Sequence, residues 1–249
     1  MRKLYLPLSI LCLLATFLLL PVVKAGTNRN IAANVLAEAT RVATLSGATL
    51  AEAAANALYD SLELDELGMT RKALVYAYKG QQKLEEEGLV QNPDIITVCD
   101  FSQPSDQKRM YILDLKHYKV LVNTYVAHGK NSGLEYAKSF SNRPESLQSS
   151  LGFYVTKQTY FGKHGLSLRL EGLEKGINDK AEQRAVVVHG ANYIGENRLG
   201  AAYMGRSFGC PAVPQKLASK VINTIKNGTT LFIYHPSQQY LHGSTILNG

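Results

Sequence analysis

The chain has 249 residues, with 27 Lys and Arg against 20 Asp and Glu. A formal charge of +7, without a Lys/Arg run or interleaved basic and aromatic residues, is too weak a signature for a nucleic-acid partner. Three cysteines in a chain of this length exclude a disulfide-stapled miniprotein.

The first segment reads as an export signal over residues 1–25. Arg2 and Lys3 precede an uncharged, Leu-rich run from Leu4 to Val23, and Val23-Lys24-Ala25 ends it with small residues at the spacing of a signal-peptidase site. The run is also long enough to cross a bilayer as a retained anchor. Pro7, Pro21 and the cleavage-like end favour removal between Ala25 and Gly26, so membrane contact is transient and the product sits in the periplasm or cell wall. Cys12 lies inside the run rather than at its end, which argues against a lipoprotein. Removal takes Arg2, Lys3 and Lys24 with it, leaves a net charge of about +4, and leaves Cys99 and Cys210 as the only thiols.

Residues 26–92 form a helical lead-in. Thr49-Leu50-Ala51-Glu52 fits a capping box, followed by Leu50, Ala54, Ala57, Leu58 and Leu62 at helical spacing. Thr70 reads as a second N-cap, with Leu74, Ala77, Tyr78, Gln81 and Leu84 on one face and Gly88 as the stop.

From residue 93 to 249 the pattern changes to strands: Ile95–Phe101, Met110–Leu115, Val120–Val126, Gly152–Thr156, Leu166–Leu170, Ala185–Val188 and Leu231–Tyr234. One helix is expected from Pro214 through Ile225, stopped at Gly228. Many short strands without alternating helices predict a mainly β (α+β) fold, a sandwich or barrel carrying one late helix.

Two residues stand out for chemistry. His189 ends the apolar run Ala185-Val186-Val187-Val188, where a strand holds a side chain with little slack, as a general base requires. His128 also ends an apolar strand; His164 lies in a Gly/Lys-rich loop, and His242 lies in the polar tail. Cys210 sits between Gly209, which lets a backbone or substrate approach, and Pro211, which fixes the chain direction. A thiol in such a turn, near backbone N–H groups and an imidazole, acts as a nucleophile, and the N–H groups of Gly209 and Cys210 can cradle an oxyanion. Composition leaves a Cys99–Cys210 disulfide equally open. No CxxC or HExxH pair calls for zinc. Gly205-Arg206-Ser207-Phe208-Gly209 matches a serine-elbow pattern, yet no strand leads into it.

Taken together, His189-Gly190 and Ser207-x-Gly209-Cys210 resemble the HG…SxGC signature of YkuD-type L,D-transpeptidases, and GRSFGCPAVP at 205–214 is similar to the murein branch that reads GRSxGCPAVP. Val126–Gly133, Phe140–Asn142, Ser149–Gly152, Tyr160–Gly165 and Arg184–Ala191 look like blocks of the same branch, so the similarity runs from about Thr70 to His235. The resemblance implies an exported cysteine enzyme, without cofactor or metal, acting on peptidoglycan stem peptides. Its cysteine attacks the bond between meso-diaminopimelate and the terminal D-alanine of a tetrapeptide, and an amine then takes the acyl group to give a 3-3 cross-link. Carried over, Cys210 is the nucleophile and His189 the base, while Ser207 and Gly209 orient the imidazole and supply oxyanion donors. Gly190, Arg206 and His164 fall to substrate binding. Where many members carry an arginine two residues after the cysteine, this chain has Ala212; Arg206, Arg198 or Lys163 can meet a substrate carboxylate instead. Two alternatives stand beside this reading. One is an L,D-carboxypeptidase with water as acceptor; the other is a non-catalytic wall-binding module with Cys99 bridged to Cys210.

Overall fold

Apolar residues alternate or run together in short stretches after residue 93, and each of the seven stretches named above overlaps a strand. A computed structural model describes residues 49–249. The export signal read over residues 1–25, and the lead-in as far as residue 48, lie outside the described residues. No helix among the described residues is long and apolar enough to cross a membrane.

The strands are β1 Ile95–Asp100, β2 Met110–Asp114, β3 Lys119–Thr124, β4 Gly152–Gly162, β5 Gly165–Gly172, β6 Val187–Ala191, β7 Ala212–Pro214 and β8 Thr230–Tyr234. They form one mixed sheet in the order β3-β2-β1-β8-β4-β5-β6-β7. The β1–β8 and β6–β7 pairs are parallel; the rest are antiparallel. Beyond β3 the chain reaches back to the far edge, where Ala127 N–H donates to the Ala212 carbonyl at 2.8 Å. The two edges thus meet, and the sheet is nearly closed into a barrel. The mainly β expectation holds.

Differences from the expected elements have local causes. β4 and β5 extend into a long hairpin past Thr156, because Lys157–Phe161 face solvent or are half-buried and lack an apolar signature. β7 has only three residues and ends in a proline, so it reads as the start of a helix. The helix itself, α3 (Ala218–Ile225), follows a 3₁₀ turn at Gln215–Leu217 and buries Ala218, Val221, Ile222 and Ile225. Two short tail helices, α4 (Gln238–Gly243) and α5 (Thr245–Asn248), were not expected; the hydroxyls of Ser237 and Ser244 cap them.

In the lead-in, α1 (residues 49–61 of the described chain) buries Ala51, Ala55, Leu58 and Tyr59, while Leu50 stays 68% exposed. Ala54 and Ala57 of the expected face are exposed as well, so the buried face is turned by about one position. α2 (Arg71–Glu86) buries Ala73, Leu74, Ala77, Gly80, Gln81 and Leu84, largely as its period predicts. Thr70 occupies the N-cap position, but its hydroxyl bonds Ser102 Oγ at 3.0 Å and its N–H donates to Asp100 at 2.9 Å. Gly80 is where the Phe153 ring lies against the helix, and a Cβ there would fall 2.0 Å from the ring. Leu58, Leu74 and Leu84 join one core cluster with β1, β2 and β8 residues.

One buried carboxylate ties the tail to the sheet. Glu174, 1% exposed, accepts from Phe153 N–H at 2.8 Å, from the Tyr240 hydroxyl at 3.1 Å and from the Ser244 hydroxyl. Burial outweighs these donors and holds its carboxyl above the ordinary glutamate range. The folded state therefore binds this proton more tightly than the unfolded chain. Its stability contribution is greatest below the ordinary glutamate value and declines as pH rises through the raised one. Glu174→Ala is expected to cost about 3 kcal/mol by stranding buried donors. Glu174→Gln is expected to retain most of the stability and flatten the acid-side slope in urea titrations at several pH values. Equal losses in both variants would show that the donors do not need the acceptor.

Candidate active site

Four pieces of chain converge where the sheet closes: the turn 205–211, β6 with the residues before it, the β4–β5 hairpin tip, and the loop 141–150. The turn is built by Ser207. Its hydroxyl donates to the Cys210 carbonyl at 2.6 Å and accepts from Gly209 N–H at 3.0 Å. Its backbone N–H donates to the His128 carbonyl at 2.9 Å and its carbonyl accepts from Lys130 N–H at 2.8 Å. Ser207 is 3% exposed, and with both functions of its hydroxyl engaged it holds the turn rather than acting as a nucleophile. It makes no hydrogen bond to His189 among the described residues. The imidazole takes its orientation elsewhere.

Gly209 adopts φ +125°, and a Cβ on it would lie 2.8 Å from the Gln148 carbonyl oxygen and 3.3 Å from Arg184 Nη2. Only glycine fits both the conformation and the approach. Because Gly209 N–H is spent on Ser207, it does not serve as an oxyanion donor. The Cys210 N–H has no acceptor among the described residues.

The Cys210 thiol is half-buried and free, and so is the buried Cys99 in β1. The disulfide reading is overturned: Cys99 is 0% exposed within the main core, and burial pushes its thiol up to about 12. Cys210 Sγ rests instead against the chain before β6. It accepts from Val187 N–H at 3.4 Å and lies 3.7 Å from the Ala185 carbonyl, to which its S–H points. Ala185 reaches this position with φ +52°, in the left-handed region that a residue with a side chain seldom adopts. Burial raises the thiol above the ordinary range, against the Val187 N–H, Arg184 and Lys163, which lower it.

His189 is 3% exposed on β6. Its Nδ1 lies 2.9 Å from the Gly190 carbonyl; since a carbonyl only accepts, Nδ1 carries the proton and Nε2 presents a lone pair. Burial first, then the His164 and Lys163 charges, hold the imidazole below the ordinary histidine range despite the Gly190 bond. Gly190 does not line a substrate groove: a Cβ there would meet Ala218 Cβ and Gln215 Oε1, both at 2.7 Å. Its carbonyl fixes the His189 ring, and its missing side chain admits Gln215 and Ala218. His164, exposed at the hairpin tip, stacks on the His189 ring with centroids 4.2 Å apart and planes 22° from parallel. No hydrogen bond joins Cys210 Sγ to the His189 ring among the described residues, a common condition of a site without substrate.

Arg206 is committed to its own neighbourhood. Its guanidinium donates to the carbonyls of Lys130 at 2.7 Å and Gly133 at 3.1 Å and to the Tyr203 hydroxyl at 3.2 Å, so it clamps a loop instead of facing a substrate. Lys163, exposed beside His164, has no hydrogen bond or ion pair among the described residues, and its charge acts on both Cys210 and His189. His128 is buried and neutral. Its Nδ1 accepts from Arg109 Nη2 at 2.8 Å, and burial together with the Arg109 charge drives its pKa to about 3. Ala212 is 0% exposed in a small apolar cluster with Tyr125, Ala127, Ala191, Ile194 and Met204, which leaves no room for an arginine. Arg184, the residue that sequence reasoning overlooked, donates to Ser141 and Gln148 carbonyls and to Ser146 and Ser150 hydroxyls. Its sequence signal was its place at the head of the Arg184–Ala191 block, five residues before His189, where no role was read for it.

Among the described residues no group of three or more His, Cys, Asp or Glu side chains could hold a metal. The YkuD_2 family model, an L,D-transpeptidase catalytic domain, matches residues 65–234. An L,D-transpeptidase from Mycobacterium smegmatis is similar at 13% identity and a TM-score of 0.35, over 57% of this chain and 59% of that one. The L,D-transpeptidase of Xylanimonas cellulosilytica is similar at 16% and 0.33, over 72% and 92%. A helical cell shape determining protein of Campylobacter jejuni is similar at 14% and 0.40, over 64% and 57%. The chain thus spans about three fifths of the Mycobacterium smegmatis structure. No curated protein sequence matches it.

Proposed function

The chain belongs to the L,D-transpeptidase catalytic domain family, which acts on peptidoglycan peptides and whose match covers residues 65–234, and from that premise we propose that it is an exported cysteine L,D-transpeptidase joining stem peptides through 3-3 cross-links. In this reading residues 1–25 direct export to the periplasm or cell wall and are removed. Residues 26–92 form the helical lead-in, and residues 93–249 carry the chemistry. The observation that carries the reading is the Cys210 thiol, seated by Val187 N–H at 3.4 Å next to a strand whose His189 is fixed as a base by the Gly190 carbonyl at 2.9 Å.

The thiol rests protonated because burial raises it. With a tetrapeptide bound, Sγ leaves the Ala185 carbonyl and gives its proton to His189 Nε2. The thiolate attacks the diaminopimelate carbonyl carbon, and the developing oxyanion accepts from Cys210 N–H. Collapse breaks the C–N bond, the D-alanine amine takes the proton from His189, and a thioester to Cys210 remains. An acceptor amine, deprotonated by the same imidazole, attacks the thioester; the new amide forms and the thiol returns. Burial keeps His189 neutral and ready to accept a proton near pH 7. Lys163 meets the carboxylate of the acyl donor, since Arg206 is occupied.

The test is incubation with disaccharide-tetrapeptide and mass spectrometry of the products. Loss of D-alanine together with a dimer is expected. Lys163→Ala is expected to raise KM severalfold with little change in kcat. Loss of D-alanine without a dimer at any amine concentration would assign a carboxypeptidase, and no loss would reject the acyl-transfer reading.

A further inference from the structure

We infer that Arg184 is the cation that sets the reactivity of Cys210, holding the nucleophile's turn in place while lending its charge to the thiolate. The inference rests on Cys210 being the nucleophile.

Four of the five guanidinium N–H groups of Arg184 are engaged. Nη1 donates to the Ser141 carbonyl at 2.7 Å and the Ser150 hydroxyl at 2.5 Å; Nη2 donates to the Gln148 carbonyl at 2.6 Å and the Ser146 hydroxyl at 3.3 Å. Every acceptor is neutral, and no carboxylate pairs with Arg184 among the described residues. The charge is therefore fixed in position, half-buried and uncompensated. Gln148, one of its acceptors, is the carbonyl against which Gly209 packs, and Ser149 Oγ donates to the Gly209 carbonyl at 3.3 Å. The arginine thus braces the turn through the loop 141–150, and Nη2 itself approaches the site of a Gly209 Cβ to 3.3 Å.

The same stretch of chain also seats the thiol. Arg184 supplies charge, Ala185 a carbonyl and Val187 an N–H, so three influences on Sγ come from within residues 184–187. The other titratable groups that act on Cys210 are Lys163 at the hairpin tip and Tyr193 beyond β6, while His189 stands two residues after Val187 on β6 with His164 stacked on its ring. Lys163 is exposed and screened by salt, whereas a half-buried charge is screened much less. Position 212 supplies no cation, because Ala212 is packed in an apolar cluster. Among the described residues, Arg184 is the hydrogen-bonded, half-buried guanidinium whose charge reaches the thiol.

Iodoacetamide alkylation of Cys210 in the full chain, followed by peptide mass spectrometry across pH, tests this without any peptidoglycan substrate. Arg184→Gln is expected to move the alkylation midpoint up by about one pH unit and to slow labelling about tenfold at pH 7. Arg184→Lys is expected to keep the wild-type midpoint while the loop 141–150 loses amide protection. A folded Arg184→Gln that overlays the wild-type profile overturns the inference. Should Arg184→Gln fail to fold by near-ultraviolet circular dichroism, Arg184→Lys decides: an unshifted midpoint with a loosened loop supports the charge role, and a shifted midpoint overturns it. Failure of the underlying reading looks different, since Cys210→Ala would then go on releasing D-alanine whatever Arg184 does.

Discussion

Cys210→Ala is expected to lower D-alanine release from disaccharide-tetrapeptide by about 10⁴-fold or more, to the uncatalysed background, and to abolish the acyl adduct in intact-protein mass spectrometry. No other group can take over. Ser207 lies three residues away, but its hydroxyl is committed to the Cys210 carbonyl and Gly209 N–H at 2.6 and 3.0 Å. Cys99 is sealed in the core with its thiol pushed up to about 12. The fold should hardly notice, since the thiol is half-buried and makes only two long contacts, from Val187 N–H at 3.4 Å and to the Ala185 carbonyl at 3.7 Å; the loss should stay under about 1 kcal/mol. An unchanged melting curve with no turnover is therefore the expected pair of results. Turnover surviving in this variant would remove Cys210 from the mechanism.

His189→Gln is the second large effect, a drop of about a thousandfold in the single-turnover acylation rate with Cys210 still present. Glutamine offers no basic nitrogen, so the thiol must ionise unaided against the burial that raises it. In the wild type, burial followed by the His164 and Lys163 charges holds the imidazole below the usual range. The acid limb of kcat/KM should accordingly fall below the ordinary histidine value of about 6.5. The same shift bears on stability: the unfolded chain binds this proton more readily, so stability is full above about 6.5 and is lost as pH falls through the depressed value. An acid limb above the ordinary value, or one unchanged in His189→Gln, would point to another base.

The strand-ending His189 and the Gly-Cys-Pro turn were legible because both are local patterns: an apolar run that stops, and a cysteine between two residues with restricted or permissive backbone. Seven of the eight strands were legible for the same reason, and β7 was not, because its pairing with β6 is set by tertiary closure rather than by its three residues. Arg184 could not be read as a brace, since its four acceptors lie 34 to 43 residues away along the chain. The meaning of Ala212 was equally hidden. Only the meeting of Ala127 with Ala212 shows that the position is enclosed. The inward face of α1 is Ala51, Ala55, Leu58 and Tyr59 rather than Leu50, Ala54, Ala57 and Leu58, about one position on, because in an alanine-rich helix hydrophobic spacing does not rank one face above its neighbour.

The strand order has a consequence for how the molecule is made. β8, at residues 230–234, lies between β1 and β4 and is the only strand that joins β1–β3 to β4–β7. A chain that emerges amino end first can form a three-strand meander and a second half-sheet holding His189 and Cys210, but each keeps an open edge until the last strand arrives. Unpaired edges of this kind invite association with other chains. The proposed catalytic pair therefore lies on a half-sheet that gains its neighbour only when residues 230–234 are available. In the proposed reading, a product ending before β8 would lack the strand that joins the half-sheet carrying Cys210 to the rest of the domain.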